Sequence, residues 1–224
     1  MASPRITTVL FDIDGTLVDS NYLHVDAWDR ALVAVDHPVD VWRIHRGIGM
    51  DASRMLSELV GDDDALQERA KDEHARLYAD MADRLRPISG ARDLLRELSR
   101  RGLTVVLATS APQEELDALL AVLDLDEPVD AVTSAEDVDD AKPAPDVVGR
   151  ALEKAGAAAS EAIMVGDAVW DIESAGRAGV TAVAVLTGGS SADQLRDAGA
   201  VAVYDDVASL LAQLDASPLV ANAD

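Results

Sequence analysis

The sequence predicts an α/β fold, a doubly wound parallel sheet with an all-helical domain inserted after the first strand. Two observations support this prediction. Short apolar runs alternate with segments of helical periodicity over most of the chain, which is typical of a parallel sheet covered by helices. One long interval, residues 19–85, interrupts this alternation with helical periodicity alone.

Six apolar runs have the composition of fully buried parallel strands, because they contain little polar alternation. In chain order they are RITTVLF, LTVVLATS, VDAVTS, AIMVGD, VTAVAVLT and AVAVYDD. Four segments between them have helical patterns, namely GARDLLRELSRRG, PQEELDALLAVL, APDVVGRALEKAG and VWDIESAGRAG. Prolines near their starts and glycines at their ends mark the helix boundaries. This order predicts a Rossmann-like core.

The interval after the first strand is far longer than an ordinary crossover connection. Its helical segments are YLHVDAWDRALVAV, DASRMLSELV and DALQERAKDEHARLYADMADRL. We therefore predict a core domain of residues 1–18 plus 86–215 and a helical cap domain of residues 19–85. The cap is expected above the carboxyl ends of the strands, where ligands bind in such sheets. Residues 216–224 are predicted to be a disordered tail.

Composition restricts the partners. The chain has 19 Lys and Arg against 42 Asp and Glu, a net charge of −23, which repels nucleic acid and anionic membranes. No apolar run approaches the length of a membrane span, and there is no cysteine for disulfides, thiol chemistry or thiolate metal sites. We expect a cytoplasmic monomer or weak homodimer. An anionic substrate would need local cations, and the chain has only three lysines.

Two aspartates, Asp12 and Asp14, lie on one side of the chain as the first strand ends, and Gly15 lets the backbone turn there. Such close like charges persist if a cation neutralises them or if one stays protonated, and both arrangements serve catalysis. An Asp-Gly turn with solvated carboxylates is the alternative. A calcium loop is excluded, because Leu17 and Leu23 occupy its glycine and glutamate positions.

Polar residues also follow three other predicted strands. Thr109 and Ser110 end one strand just before a helix, where a hydroxyl and a backbone N–H can hold phosphate oxygens. Lys142 precedes a proline in a loop, and Asp167 follows a strand with Asp171 one helical turn later. Each feature alone is typical of a cap, a surface loop or a turn. Together, at the same edge of a sheet, they predict one site.

The segments DIDGTLVDS, LATS, a lysine before PAPD, and GDAVWD occur in this order over nearly the full length. They resemble the four motifs of the haloacid dehalogenase-like (HAD) hydrolase superfamily. The long helical insertion is similar to that of its subgroup with a helical cap, which includes phosphoglycolate phosphatase and β-phosphoglucomutase. This set of motifs is specific for the superfamily and does not identify a substrate.

The resemblance implies a magnesium-dependent phosphatase that hydrolyses a small phosphorylated metabolite through an aspartyl-phosphate intermediate. Asp12 would be the nucleophile and Asp14 the general acid and base. Mg²⁺ would be held by a carboxylate oxygen of Asp12, the backbone carbonyl of Asp14 and a carboxylate oxygen of Asp167.

The remaining motif residues would surround the phosphoryl group. Lys142 would neutralise its charge, and Thr109 with the Ser110 amide would hold its oxygens. Asp171 would orient Lys142 or a metal-bound water.

A phosphomutase of the β-phosphoglucomutase type is the first alternative, because His24 is spaced from Asp14 as in that enzyme. Hydrolysis is favoured by Thr16, which gives the DGT form common in family phosphatases. It is also favoured by Met50 and Asp51, which stand where the mutase pattern has a substrate-binding arginine and an acid. The dehalogenase branch is disfavoured, because it lacks the second aspartate.

A receiver-like signalling module that accepts a phosphoryl group is the less favoured alternative, because such a module is about half this length. The substrate contacts in the cap are the least defined part of the prediction. His24 and Arg46 are the candidates, and the alternative for Arg46 is an exposed structural role.

Overall fold

The structure is a computed structural model, and it describes residues 5–125, 129–134 and 142–220. The chain divides into two compact units. Met1–Asp19 and Arg86–Asp224 form the first, called here the core unit, and Ser20–Leu85 form the second, called the helical unit. The boundary differs by one residue from the one that the sequence predicts.

The core unit contains a six-stranded parallel sheet with the order β3-β2-β1-β4-β5-β6. Its strands are β1 (Thr8–Phe11), β2 (Thr104–Ala108), β3 (Ala131–Thr133), β4 (Ala162–Gly166), β5 (Thr181–Val185) and β6 (Ala202–Tyr204). All six predicted strands are confirmed. The central strands β1 and β4 are buried throughout, as their unbroken apolar composition predicts.

The helical unit contains α1 (Asn21–Ala34), α2 (Val41–Gly47), α3 (Ala52–Val60) and α4 (Asp64–Ala79), followed by a 3-10 turn at Ala82–Arg84. The predicted absence of strands is confirmed. Aspartates cap two helix starts: Asp51 accepts a hydrogen bond from the Arg54 N–H and Asp63 accepts one from the Leu66 N–H. Helices α1, α2, α3 and α4 contribute Trp28, Leu32, Ile44, Met55, Leu56 and Ala70 to a common apolar core.

The helices of the core unit are α5 (Ala91–Arg100), α6 (Gln113–Leu123), α7 (Asp146–Ala155), α8 (Val169–Arg177), α9 (Ala192–Asp197) and α10 (Val207–Ala212). The first four confirm the predicted helical segments. The sequence analysis did not predict α2, α9 and α10. Each has only six or seven residues, so its apolar periodicity completes barely two turns.

Strand β1 lies at the point where the strand order reverses, because the chain first adds β2 and β3 on one side and then β4 on the other. Pairing continues past the strand end, since the Asp12 N–H donates to the Val165 carbonyl at 3.0 Å. The carboxyl ends of β1, β2 and β4 therefore lie side by side. Such a switch point is where open α/β sheets bind ligands.

The carboxyl-terminal segment differs from its prediction. Residues Leu214–Ala216 form a 3-10 turn, and both Ser217 and Leu219 are fully buried. The predicted disorder therefore does not describe residues 216–220, because the apolar side chain of Leu219 packs into the core. Residues 221–224 lie outside the described residues. No helix in the described part combines the length and apolarity that a bilayer crossing requires.

Candidate active site

Asp12 and Lys142 form a buried ion pair at the carboxyl edge of the sheet. Asp12 directly follows β1 and is 6% exposed, and Lys142 is 2% exposed. The Lys142 Nζ donates to the Asp12 Oδ1. The peptide bond between Lys142 and Pro143 is cis. A hydrogen bond joins the loop after Lys142 to α8, since the Ser174 hydroxyl donates to the Ala144 carbonyl at 2.7 Å. Helix α8 thus supports the loop that carries the lysine.

Asp171, in the first turn of α8, holds the same lysine from a second side. Its Oδ1 lies 2.8 Å from the Lys142 Nζ, and its Oδ2 accepts a hydrogen bond from the Ala168 N–H at 3.0 Å. Gly166 makes this approach possible, since a Cβ there would lie 2.4 Å from the Cβ of Asp171. The structure therefore brings Asp171 into contact with Lys142, and its role in orienting Lys142 or a metal-bound water stays a prediction.

Asp167 follows β4 and is 1% exposed. Its Oδ1 accepts a hydrogen bond from the Thr16 hydroxyl at 2.7 Å. Asp12, Asp167 and Asp171 each offer a carboxylate oxygen, and these three oxygens lie within 4.8 Å of one another. The ends of β1 and β4 and the first turn of α8 thus bring three buried carboxylates together.

The charges of this cluster do not balance. Burial raises the pKa of Asp12 well above its usual range; Lys142 opposes this shift, and Asp171, Asp167 and Asp14 add to it by repulsion. Burial also lowers the pKa of Lys142, but Asp12 and Asp171 outweigh it, so the net shift is upward and the ammonium is kept. Among the described residues, the Lys142 ammonium contacts Asp12 and Asp171, while Asp167 and Asp14 are close enough to repel Asp12. This excess of negative charge, presented by hard oxygen donors, fits a divalent cation such as Mg²⁺.

The other predicted core residues lie around this cluster. Asp14 is half-buried and close enough to affect the charge of Asp12. Thr109 is buried, and its hydroxyl oxygen accepts a hydrogen bond from the Ala111 N–H at 3.0 Å, which leaves its proton for a further acceptor. Ser110 is half-buried at the end of the same strand.

Two predicted residues belong to the helical unit. The His24 Nδ1 lies 3.1 Å from the Nε2 of His74, and the His24 ring stacks on Tyr78 with centroids 3.9 Å apart. Arg46 is exposed, with its guanidinium carbon 5.0 Å from the ring centroid of Trp42. These contacts lie within the helical unit, so the role of His24 and Arg46 as substrate contacts stays a prediction.

Sequence reasoning missed His74, which is 7% exposed and stacks on Trp28 with centroids 4.0 Å apart. Burial, with repulsion from His24 second, lowers the pKa of His74 to about 2. The hydrogen bond between Thr16 and Asp167 was also missed. In both cases the partners are distant in the chain, and a single sequence carries no signal for such a pairing.

Comparison with known proteins agrees with this geometry. The profile of the family described as haloacid dehalogenase-like hydrolase matches residues 9–185. A phosphoglycolate phosphatase of Rhodospirillum rubrum is 33% identical, over 90% of this chain and 88% of the relative. A pyrophosphatase of Bacillus cereus is 32% identical, over 81% of this chain and 83% of the relative.

Solved structures show the same fold. A hydrolase from Pseudomonas syringae superposes with a TM-score of 0.89 at 38% identity, covering 94% of this chain and 98% of the other. A β-phosphoglucomutase from Clostridium difficile gives a TM-score of 0.78 at 19% identity, covering 90% and 92%, which supports the fold alone. The profile match, the sequence identities and the four motifs at one edge of the sheet together show that the chain belongs to the haloacid dehalogenase-like hydrolase family.

Proposed function

We propose that this chain is a magnesium-dependent phosphatase that hydrolyses a small phosphorylated metabolite through an aspartyl-phosphate on Asp12. The observation that supports it most is the position of Asp12, held by Lys142 at the switch point beside the buried carboxylates of Asp167 and Asp171. The relatives named phosphoglycolate phosphatase and pyrophosphatase support a phosphatase.

In the first step, a carboxylate oxygen of Asp12 attacks the phosphorus of the substrate and forms an acyl phosphate. The bond between phosphorus and the ester oxygen breaks, and Asp14 gives its proton to the departing alkoxide. Lys142 opposes the rise in the pKa of Asp12 that burial causes, and so favours the ionised form that a nucleophile requires. The half-buried position of Asp14 suits a group that exchanges a proton.

In the second step, Asp14, now a carboxylate, takes a proton from a water molecule. The oxygen of that water attacks the phosphorus, the bond to Asp12 breaks, and inorganic phosphate leaves. Asp12 is again a carboxylate and Asp14 is again protonated, so the cycle closes. This proton shuttle typically contributes about 10²–10⁴-fold to the rate.

Positive charge and hydrogen-bond donors stabilise the transferring group. Lys142, oriented by Asp171, neutralises part of the charge on the phosphoryl oxygens. The Thr109 hydroxyl and the Ser110 N–H would donate to those oxygens. Asp12, the backbone carbonyl of Asp14 and Asp167 would hold Mg²⁺, which supplies further positive charge next to the phosphoryl group when it is bound.

Replacement of the nucleophile tests the proposal. Asp12→Asn should release no inorganic phosphate above background from p-nitrophenyl phosphate, 2-phosphoglycolate or pyrophosphate in the presence of Mg²⁺, because an amide oxygen is a poor nucleophile. Chelation of the metal by EDTA should stop the wild-type reaction, and added Mg²⁺ should restore it. Asp19→Asn is the matched control, since Asp19 is an exposed aspartate at the end of the same motif and should be dispensable. Wild-type turnover in Asp12→Asn would overturn the proposal.

The alternatives stay predictions that the same preparation separates. A phosphomutase would convert β-glucose 1-phosphate to glucose 6-phosphate faster than it releases phosphate. A receiver-like module would keep its phosphoryl group for minutes and would not turn over many equivalents.

A further inference from the structure

We propose that the turns after β1 and after β5 form a clamp that fixes the Asp167 carboxylate before a cation binds, and that Thr16 is its main positioning residue. The clamp consists of Thr16, Thr187 and Gly188. It deepens the proposed function, because it assigns residues that set the affinity of the cation site.

Thr16 contacts the first oxygen of the carboxylate. Its hydroxyl donates to the Asp167 Oδ1 at 2.7 Å, and the two residues are 0% and 1% exposed. Hydrogen bonds from a hydroxyl to a carboxylate are short and strong, and little water reaches this one as a competitor. The hydrogen bond therefore restrains rotation of the Asp167 carboxylate about its Cβ–Cγ bond.

Gly188 confines the second oxygen. A Cβ at this position would lie 1.9 Å from the Asp167 Oδ2, far inside ordinary contact distance, and 2.9 Å from the Asp167 carbonyl oxygen. The backbone of the turn after β5 therefore lies directly against the carboxylate. Any side chain at residue 188 would displace Asp167 from its present position.

Thr187 joins the two turns to each other. Its hydroxyl donates to the carbonyl of Gly15, although the two residues are 172 positions apart. Gly15 has a φ of 75°, so a glycine suits the conformation that directs this carbonyl towards Thr187. The clamp is thus a closed arrangement in which each turn holds the other on either side of Asp167.

A carboxylate held in this way has less freedom to lose when it binds a cation. Partners that orient metal ligands typically change metal affinity by about 10–100-fold when they are removed. Thr16→Val keeps the shape of the side chain but removes the hydroxyl, so it should raise the Kd for Mg²⁺ by about 10–100-fold. Thr16→Ser keeps a hydroxyl and should restore most of the affinity.

Calorimetric titration of substrate-free protein with Mg²⁺ is the direct measurement, since it does not depend on turnover. Thr8→Val is the matched control, because Thr8 is a buried threonine of β1, four residues before Asp12, and no described hydrogen bond joins it to the carboxylates. It should keep the wild-type Kd. Thr187→Val should weaken Mg²⁺ binding in the same direction as Thr16→Val but less, and it provides a second test if Thr16→Val does not fold.

The outcomes separate the clamp from the proposed function. Wild-type Mg²⁺ affinity in Thr16→Val and Thr187→Val, with Mg²⁺-dependent phosphate release intact, overturns the clamp alone. Weakened binding that Thr16→Ser rescues supports the clamp, and it does so even if the wild type releases no phosphate, which would overturn the proposed function alone. A wild-type protein that binds no Mg²⁺ overturns both.

Discussion

Two buried clusters of titratable groups differ in what burial does to their charge. In the core unit, Asp12, Asp171 and Lys142 are all at most 6% exposed, and an ion pair joins each carboxylate to the lysine. In the helical unit, His24 and His74 stack with Trp28 and Tyr78. The first cluster keeps its lysine charged, whereas burial keeps His74 neutral.

The difference comes from the partners, since Lys142 and His74 are both buried. Lys142 has two carboxylates in contact, and their attraction exceeds the loss of hydration, so its pKa rises. His74 has an imidazole and aromatic rings as its described neighbours, so burial dominates and its pKa falls to about 2. Burial therefore does not decide the charge of a group by itself. For Lys142 the two carboxylates outweigh burial, whereas for Asp12 burial outweighs the one ammonium and the pKa stays raised.

Of all the substitutions, removal of the Lys142 ammonium should change the free energy of unfolding most. Lys142→Met leaves Asp12 and Asp171 as buried carboxylates without their cation, and breaking a buried pair in this way typically costs about 3–5 kcal/mol. We expect the free energy of unfolding, measured with urea in metal-free buffer at neutral pH, to fall by about that amount.

Lys71→Met is the control for this experiment, because Lys71 forms a partly exposed ion pair with Glu68. Its loss should cost less than about 1 kcal/mol. If Lys142→Met were as stable as the wild type, the carboxylates would not depend on the lysine, and the explanation given for the core cluster would be wrong.

The helical unit should respond to pH through His74. The pKa of His74 is about 2 in the folded protein and 6.5 without the fold, so below pH 6.5 the unfolded chain binds the extra proton. Its contribution to stability is therefore present above pH 6.5 and is lost as pH falls towards 2, by up to about 1.4 kcal/mol per pH unit. His74→Phe should remove this contribution.

Urea unfolding at pH 7.5 and pH 5.5 measures the contribution of His74 to the free energy of unfolding. The free energy of unfolding of the wild type should fall by about 1.4 kcal/mol more than that of His74→Phe over this interval. Tyr78→Phe keeps both imidazoles in the stack and should retain the wild-type dependence. Equal slopes for the wild type and His74→Phe would show that His74 is not held neutral by burial.

The sequence predicts the parts of this molecule that repeat or that carry a motif. Six strands and the four longer core helices are recognisable because each shows a sufficient run of apolar residues. The motif residues Asp12, Lys142, Asp167 and Asp171 could be placed together because parallel strands end at the same edge. Helices α2, α9 and α10 were missed because they are too short to show a period.

Contacts between distant residues were not predictable. Thr16 is visible in the sequence only as part of a motif, and its hydrogen bond to Asp167 spans 151 positions. His74 lies in a polar stretch of α4, and only the packing of α4 against α1 places it beside His24. Such contacts depend on register and packing angle, which local composition does not determine.

Arg46 offers a third case, a charged side chain that is exposed to water. Its guanidinium lies over Trp42, and the Trp42 side chain is itself exposed. Exposed cation–π contacts contribute about 0.5–1 kcal/mol, so Arg46→Ala should lower the free energy of unfolding by no more than this, the smallest effect of the series. A larger loss would show that Arg46 has a structural role beyond this contact.

A double-mutant cycle with Trp42→Ala separates the contact from the predicted substrate role. If Arg46 acts only through Trp42, Arg46→Ala should cause no further loss in the free energy of unfolding when Trp42 is already alanine. It should also leave kcat/KM unchanged. If it binds an anionic group of the substrate, KM should rise in either background while stability does not change further, because the cost then lies in binding and not in folding.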